Sequence, residues 1–292
     1  MRLRELRHNL WNLGFVEEGL ENALTTQQLN IHWAKKRIKD RWFADPYILD
    51  VTESEIVVLA EEYCYNVRRG RLARVVYDRH TYEEKHFSII LDLDTHLSFP
   101  FILRQNGKVY ILPENSASGS STIYEYDDSR ETLTPICQVA DLPLTDATLF
   151  EMNGQRFLWS TMLPEPNGNV LSIYEFDNTS LIIGRQVATI AFDHNTARNA
   201  GEYFFVNGQI FRPAQDCTAC YGNGVVLQRV ECVDGQWRFT DVNSFYPQSY
   251  RLNQGLHTFN HYKGLIVVDG RGYRLPLIGR CLTLLFKLIG RI

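Results

Sequence analysis

No run of apolar residues in this chain approaches the roughly 20 that a helix needs to cross a bilayer. The start, Met-Arg-Leu-Arg-Glu-Leu-Arg-His, lacks the apolar stretch of a secretory signal, so the expected address is the cytoplasm. Positive charge is not in excess. Over 292 residues, 30 Lys and Arg face 34 Asp and Glu, a net charge of -4, which disfavours a nucleic-acid partner. Cysteine is sparse and scattered. Cys217 and Cys220 form one C-x-x-C, but no second pair or nearby histidine completes a zinc site, so reduced thiols are expected and neither metal nor cofactor. What is abundant is aromatic: 15 Tyr and 16 Phe lift the aromatic share to 12%, a bias that suits strands.

Self-similarity carries the fold. Phe101-Ile-Leu-Arg-Gln-Asn-Gly-Lys-Val-Tyr-Ile-Leu, Thr148-Leu-Phe-Glu-Met-Asn-Gly-Gln-Arg-Phe-Leu-Trp and Tyr203-Phe-Phe-Val-Asn-Gly-Gln-Ile-Phe-Arg-Pro share an apolar run, a tight turn and a second apolar run. Thr258-Phe-Asn-His-Tyr-Lys-Gly-Leu-Ile-Val-Val is a fourth copy, and Tyr47-Ile-Leu-Asp-Val-Thr-Glu-Ser-Glu-Ile-Val-Val-Leu, with a longer polar turn, a fifth. Asn-Gly at such a turn is the strongest short-range hairpin signal. A second element follows each hairpin, as in Ile123-Tyr-Glu-Tyr-Asp and its near copy Ile173-Tyr-Glu-Phe-Asp. Four antiparallel strands per unit of about fifty residues predict an all-β, five-bladed β-propeller.

The last unit is too short to complete a blade. A strand over 11–17, beginning Trp11-Asn-Leu-Gly-Phe-Val, is expected to close blade five and remove an open edge, within a propeller spanning 1–275. Residues 20–40 are expected to lead into blade one. Residues 276–292 read as a C-terminal amphipathic helix. At 100° per residue, Arg280, Lys287 and Arg291 fall on one narrow face, with Leu282, Leu285, Phe286, Leu288, Ile289 and Ile292 opposite. Such a helix suits either a membrane interface through residues 280–292 or docking on protein.

First strands line a propeller's axis, so polar residues at their starts mark a candidate funnel. These are Asp45, His96 with Ser98, Asp146, Arg198 with Asn199, and His257; Glu114, Arg212, Gln215 and Asp216 join them from the ends of second strands. Converging polar groups in a concave site are the default binding-site hypothesis. Taken singly, each also fits a structural role, such as a carboxylate tying blades together or an arginine neutralising a neighbouring acid.

The motifs Trp42-Phe-Ala-Asp-Pro, His96-Leu-Ser-Phe-Pro, Leu112-Pro-Glu-Asn-Ser, Asp146-Ala-Thr, Arg198-Asn-Ala-Gly and Arg212-Pro-Ala-Gln-Asp together resemble the N-terminal domain of plant glucosamine inositolphosphorylceramide transferases and its bacterial homologues. The resemblance covers residues 11–272 and not the plant enzyme's separate glycosyltransferase domain. That domain in turn is similar to the five-bladed propellers of arabinanases and β-xylosidases. The likeness implies Asp45 as base or nucleophile and Asp146 as the residue that tunes pKa and grips the sugar. The family's general acid would fall near Arg198-Asn199, where no carboxylate stands, leaving Glu114 or Asp216 to supply it, with Glu202 a few residues on.

Two functions follow as expectations. One is a carbohydrate-active enzyme acting on a glycan, glycolipid or sugar phosphate, with Asp45, Glu114, Asp146 and Asp216 catalytic. His96, Arg198, Asn199, Arg212, Gln215 and His257 would bind substrate, the arginines favouring a phosphorylated or carboxylated ligand. The other is a non-catalytic glycan-binding propeller that assists a separate glycosyltransferase, with Trp42, Phe43, Tyr65 or Tyr221 stacking on sugar rings. Either would work in intracellular glycan assembly, peripheral to a membrane's inner face.

Overall fold

The computed structural model describes residues 9–36 and 40–288; Ile38 and the tail residues Ile289, Gly290, Arg291 and Ile292 lie outside them. The chain opens with β1 (Asn9–Val16), a short helix α1 (Gly19–Ala23) and the two-residue β2 (His32–Trp33). Blade one is β3 (Arg41–Val51), β4 (Glu55–Cys64), β5 (Gly70–Asp78) and β6 (Glu84–Leu91). Blade two is β7 (Ser98–Gln105), β8 (Lys108–Glu114), β9 (Ser121–Asp127) and β10 (Thr132–Ala140). Blade three is β11 (Leu144–Met152), β12 (Gln155–Met162), β13 (Val170–Asp177) and β14 (Ile182–Ala191). Blade four is β15 (Phe204–Val206), β16 (Gln209–Asp216), β17 (Gly224–Val233) and β18 (Gln236–Phe245). Then come β19 (Phe259–Tyr262), β20 (Leu265–Tyr273) and helix α2 (Pro276–Leu288). The strands form five four-stranded antiparallel sheets, the blades of one propeller.

The hairpins explain the repeat. Asn106-Gly107, Asn153-Gly154 and Asn207-Gly208 all take positive φ at both residues, the geometry of a type I′ turn, and Lys263-Gly264 does the same in the fourth copy. Blade one turns instead through Thr52, whose N–H donates to the Glu55 carbonyl.

Blade five is ordered β19-β20-β1-β2. β1 pairs antiparallel with β20 over eight positions, from Asn9 opposite Tyr273 to Val16 opposite Ile266. Leu13, Phe15 and Val16 are fully buried there. The sequence accounted for one N-terminal strand in this blade; the chain supplies two. β2 adds the outer edge through Gly14–Trp33 and Phe15–His32, a contact too short to leave a periodicity. Gly14 is where the ring of Trp33 passes, and a Cβ there would stand 2.3 Å from Ile31 and 2.9 Å from that ring.

Three first strands share one irregularity that aims the site. The pairing slips between Ala44 and Tyr47 in β3, between Ser98 and Phe101 in β7, and between Thr145 and Thr148 in β11. In each bulge one residue takes positive φ: Asp45 at 50°, Phe99 at 41° and Asp146 at 46°. Bulges re-aim side chains in this way, and a left-handed phenylalanine is a conformation that only surrounding packing can hold.

Candidate functional site

Asp45 stands at the centre of a network that joins blades. Its own N–H donates to Asp269 Oδ2 of β20 at 3.1 Å, and its Oδ2 accepts the Phe99 N–H of blade two at 3.2 Å. Thr258 donates its hydroxyl to Asp45 Oδ1 at 3.1 Å, and His257 Nε2 lies 3.6 Å from the same oxygen. On its other side His257 Nδ1 meets Asp269 Oδ2 at 2.7 Å. Burial pushes the Asp45 carboxyl up to about 7, with His257 opposing and the acids Asp146, Glu61 and Asp269 reinforcing the rise. Burial also presses His257 down, but Asp269 and Asp45 outweigh it and hold the imidazole above its ordinary value. Burial would raise Asp269 too; His257 and the N–H groups of His257 and Asp45 bring it below the usual carboxylate range. Asp45, His257 and Asp269 are also the one group of described residues with metal-ligand spacing, their ligand atoms lying within 4.8 Å of one another.

Asp146 occupies the equivalent bulge in blade three. Arg198 grips it bidentately, Nε to Oδ2 at 2.6 Å and Nη2 to Oδ1 at 3.2 Å, and Gln215 donates to Oδ2 at 2.6 Å. The same Nη2 reaches Glu114 Oε2 at 3.2 Å, and that oxygen accepts the Asp146 N–H at 3.3 Å. Nη1 donates to Asn167 at 2.8 Å. One guanidinium therefore serves two acids. Burial pushes Asp146 up to about 7 against the pull of Arg198, and the adjacent Glu114 adds to the rise. Tyr221 covers the pair. Its ring lies 5.1 Å from the Arg198 guanidinium carbon and meets the His257 ring edge-on at 5.3 Å.

His96 sits at the rim, more exposed than the rest. Its Nδ1 accepts the Gly70 N–H at 2.9 Å, which leaves Nε2 to carry the proton, 3.2 Å from Glu61 Oε1. That contact lacks hydrogen-bond alignment, so Glu61 Oε1 is a buried oxygen without a well-directed donor. Glu61 is the residue that sequence reasoning missed. It lies opposite Ala44, next to Asp45, near the end of the second strand, the position Glu114 holds in blade two. That correspondence was the available signal.

Other expected site residues support the cluster from below or lie apart from it. Arg212 is only 1% exposed, and it donates to Asn199, Gln228 and the carbonyls of Thr196 and Ala197. Burial draws its guanidinium down to about 9. It braces the interior of blade four through these amides and carbonyls rather than through a carboxylate, so the two-arginine case for a phosphate loses one arginine. Asn199 and Gln215 are fully buried beneath Asp146, Asn199 donating to the carbonyls of Asp146 and Trp159. Asp216 is held by the Thr218 N–H and Asn223 of its own loop and by the Tyr246 hydroxyl just beyond β18. Burial pushes it up, but those donors outweigh it and leave it below the ordinary value. Phe43 is buried and offers no stacking face, while Trp42 lies flat on Tyr63 at 4.8 Å.

Glu202 faces the opposite mouth of the axis. It lines a cavity of about 340 Å³ with Arg104, Tyr203, His261 and Tyr262, at the hairpin end of the first strands. Burial pushes its carboxyl up to about 7, with Arg104 opposing.

The chain resembles known proteins in sequence and in fold. The family model described as "Glucosamine inositolphosphorylceramide transferase 1, N-terminal" matches residues 32–264. Glucosamine inositolphosphorylceramide transferase 1 of Oryza sativa subsp. indica is 26% identical over 196 residues, covering 64% of this chain and 26% of the rice protein. The Arabidopsis thaliana protein of the same name is 26% identical over 161 residues, covering 49% of this chain and 20% of its own length. The chain thus spans about a quarter of these relatives or less. Among solved structures, an α-L-arabinofuranosidase from Lactobacillus brevis superposes with a TM-score of 0.54 at 16% identity, covering 77% of this chain and 80% of the other. The exo-β-1,3-galactanase of Phanerochaete chrysosporium with galactose also gives 0.54, at 11% identity over 76% of this chain and 58% of its own. At such identities the likeness is one of fold.

Proposed function

The chain belongs to the family of the N-terminal domain of glucosamine inositolphosphorylceramide transferase 1, and on that premise we propose that its funnel recognises a saccharide. The observation that carries this is the company Arg198 keeps. A hydrolase of this architecture needs a protonated carboxyl across the scissile bond from its base. Here Arg198 and Asn199 occupy the blade-four position, and Arg198 ties up both Asp146 and Glu114. Asp216 is folded into its loop and Glu202 faces the other mouth. Recognition is favoured over hydrolysis, with bond formation left to a separate glycosyltransferase.

The ligand chemistry follows from the charges. Around the funnel stand Asp45, Glu61, Glu114, Asp146 and Asp269 against Arg198, His96 and His257, with Arg271 behind Trp11 at the wall, and Arg198 is already neutralised. Acids in excess suit hydroxyl donors or an ammonium group better than a phosphate. A neutral or amino-substituted sugar fits, and the relatives' name contains glucosamine. Glu61 Oε1 and the rim nitrogen of His96 would receive the sugar, with Tyr221 as the apolar wall.

A catalytic role keeps one specific support. Asp45, with its carboxyl near 7, could take a proton from a hydroxyl acceptor in a transfer reaction. Titration calorimetry with glucosamine, N-acetylglucosamine, neutral pentoses, sugar phosphates and nucleotide sugars tests both roles, on wild type beside Asp45→Asn. Binding of neutral or amino sugars, weakened at least tenfold in the variant, is expected. Binding confined to phosphorylated sugars, or undiminished in Asp45→Asn, would overturn the assignment.

A further inference from the structure

Helix α2 turns its apolar side outward. Gly279 packs so closely on Tyr273 that a Cβ would stand 2.5 Å from the ring, which fixes that face against the end of β20. On the opposite side Leu277 is 71% exposed, Ile278 44% and Leu285 50%, with Cys281 also exposed. At 100° per residue these four span one 100° arc, centred nearly opposite Gly279. An exposed apolar arc of this kind calls for a partner surface to cover it.

Its surroundings are basic. Between Tyr246 and Leu288 the single acid in the sequence is Asp269, buried at the axis, whereas Arg251, Arg271, Arg274 and Arg280 occur in the same stretch. Arg280 donates to the Tyr250 carbonyl at 2.6 Å and lies 4.7 Å from that tyrosine's ring, which is 68% exposed. Arg274 lies over Tyr65 at 4.8 Å. Arginine and tyrosine border the apolar arc, and Asp40, the acid that interacts with Arg274, is already paired with Arg41, a setting that matches an anionic lipid interface rather than a protein groove. No helix among the described residues is long and apolar enough to cross a membrane, so contact would be interfacial.

Position adds the consequence. β20 passes Asp269 and ends at Tyr273, and α2 starts three residues later, so the helix lies at the end of the axis where the funnel opens. We propose that α2 seats the propeller on an anionic lipid surface with its funnel mouth turned toward the headgroup layer. The class of ligand is then a saccharide carried on a lipid, a step that rests on the saccharide-binding role of the funnel.

Flotation with phosphatidylcholine vesicles, with and without 30% phosphatidylglycerol (on the order of the anionic content that attracts basic segments), tests this on the full chain. Wild type is expected to float with anionic vesicles at low salt and to be released at high salt. Leu277→Glu/Ile278→Glu/Leu285→Glu, all at exposed positions, should bind at least tenfold less while keeping the wild-type melting curve and its affinity for free sugar. Asp45→Asn should do the reverse, floating normally with sugar binding lost. Wild type and triple variant alike remaining unbound would overturn the membrane role, and so would a wild-type dimer that the triple variant dissolves without any vesicle binding. Loss of free-sugar binding in neither variant would instead count against the funnel.

Discussion

Trp11 stacks on His257, ring centroids 4.0 Å apart and planes inclined by 18°. The Arg271 guanidinium carbon lies 5.5 Å from the Trp11 ring centre. The strand that closes the propeller therefore also forms one wall of the Asp45 network, because His257 faces Asp45 and Asp269 on its edges and Trp11 on its plane. Closure and site integrity are one packing problem.

Deleting residues 1–18 removes β1, and with it the fully buried Leu13, Phe15 and Val16 as well as Trp11. Each large core side chain is worth about 2–5 kcal/mol, and a whole domain is stable by only about 5–15 kcal/mol. Insoluble protein or loss of the cooperative melting transition is expected. A melting curve matching the full chain's would show that blade five closes without β1.

Arg198→Met leaves Asp146 and Glu114 facing one another without their cation. Breaking a buried ion pair from one side costs about 3–5 kcal/mol. Glu114→Gln removes one of the two acids and keeps a hydrogen-bonding oxygen, so its loss should stay near 1 kcal/mol. Urea melts of the two variants should therefore separate clearly; equal losses would mean that Arg198 is not the hub of the cluster.

Gly70→Ala probes the rim. A Cβ there would stand 2.3 Å from the Leu97 carbonyl, 2.8 Å from Glu61 Oε1 and 2.8 Å from the His96 ring. Either His96 and Glu61 shift or the backbone does. Sugar affinity should fall severalfold with a clear loss of stability, because the nearest clash is with backbone, and unchanged affinity in the folded variant would remove the Glu61–His96 pair from the binding site.

The hairpins were legible because a type I′ turn imposes a chemical signature, and Asn-Gly meets it at 106, 153 and 207. The polar starts of first strands were legible for a similar reason, since a charge at the axis stands out against an apolar strand. Which arginine faces the mouth was not. Arg198 and Arg212 are both buried, and only the pairing of β16 with β17 puts Arg212 opposite Gln228 inside blade four. The Glu61-Glu62 doublet hid Glu61 likewise. Alternation sends Glu62 to Arg41 and Arg71, at 2.8 and 3.0 Å, while its neighbour turns to the axis. The bulges at Asp45, Phe99 and Asp146 come from packing between blades, which leaves no local motif that includes both an aspartate and a phenylalanine.

Glu202 gives the sharpest test of where the chemistry is. It follows Arg198-Asn199-Ala200-Gly201 in sequence, close to where related propellers carry their acid, yet it lines the cavity at the hairpin end with Arg104 and His261. Its N–H donates to Asn260 Oδ1 at 2.8 Å, which ties its backbone to the first strand of blade five. Glu202→Gln keeps the volume and removes the charge, so sugar affinity should stay within about twofold of wild type. Stability should respond to pH. The folded carboxyl titrates at about 7 against an ordinary value of 4.5, so the folded chain holds this proton more tightly than the unfolded one. The contribution is full below about pH 4.5 and is lost as pH rises through about 7. Glu202→Gln is insensitive over that window, so the difference in unfolding free energy, variant minus wild type, should climb between those pH values and level off above 7. A flat difference would mean that the carboxyl is not held out of water, and abolished sugar binding or activity in this variant would move the working site to the other mouth of the axis.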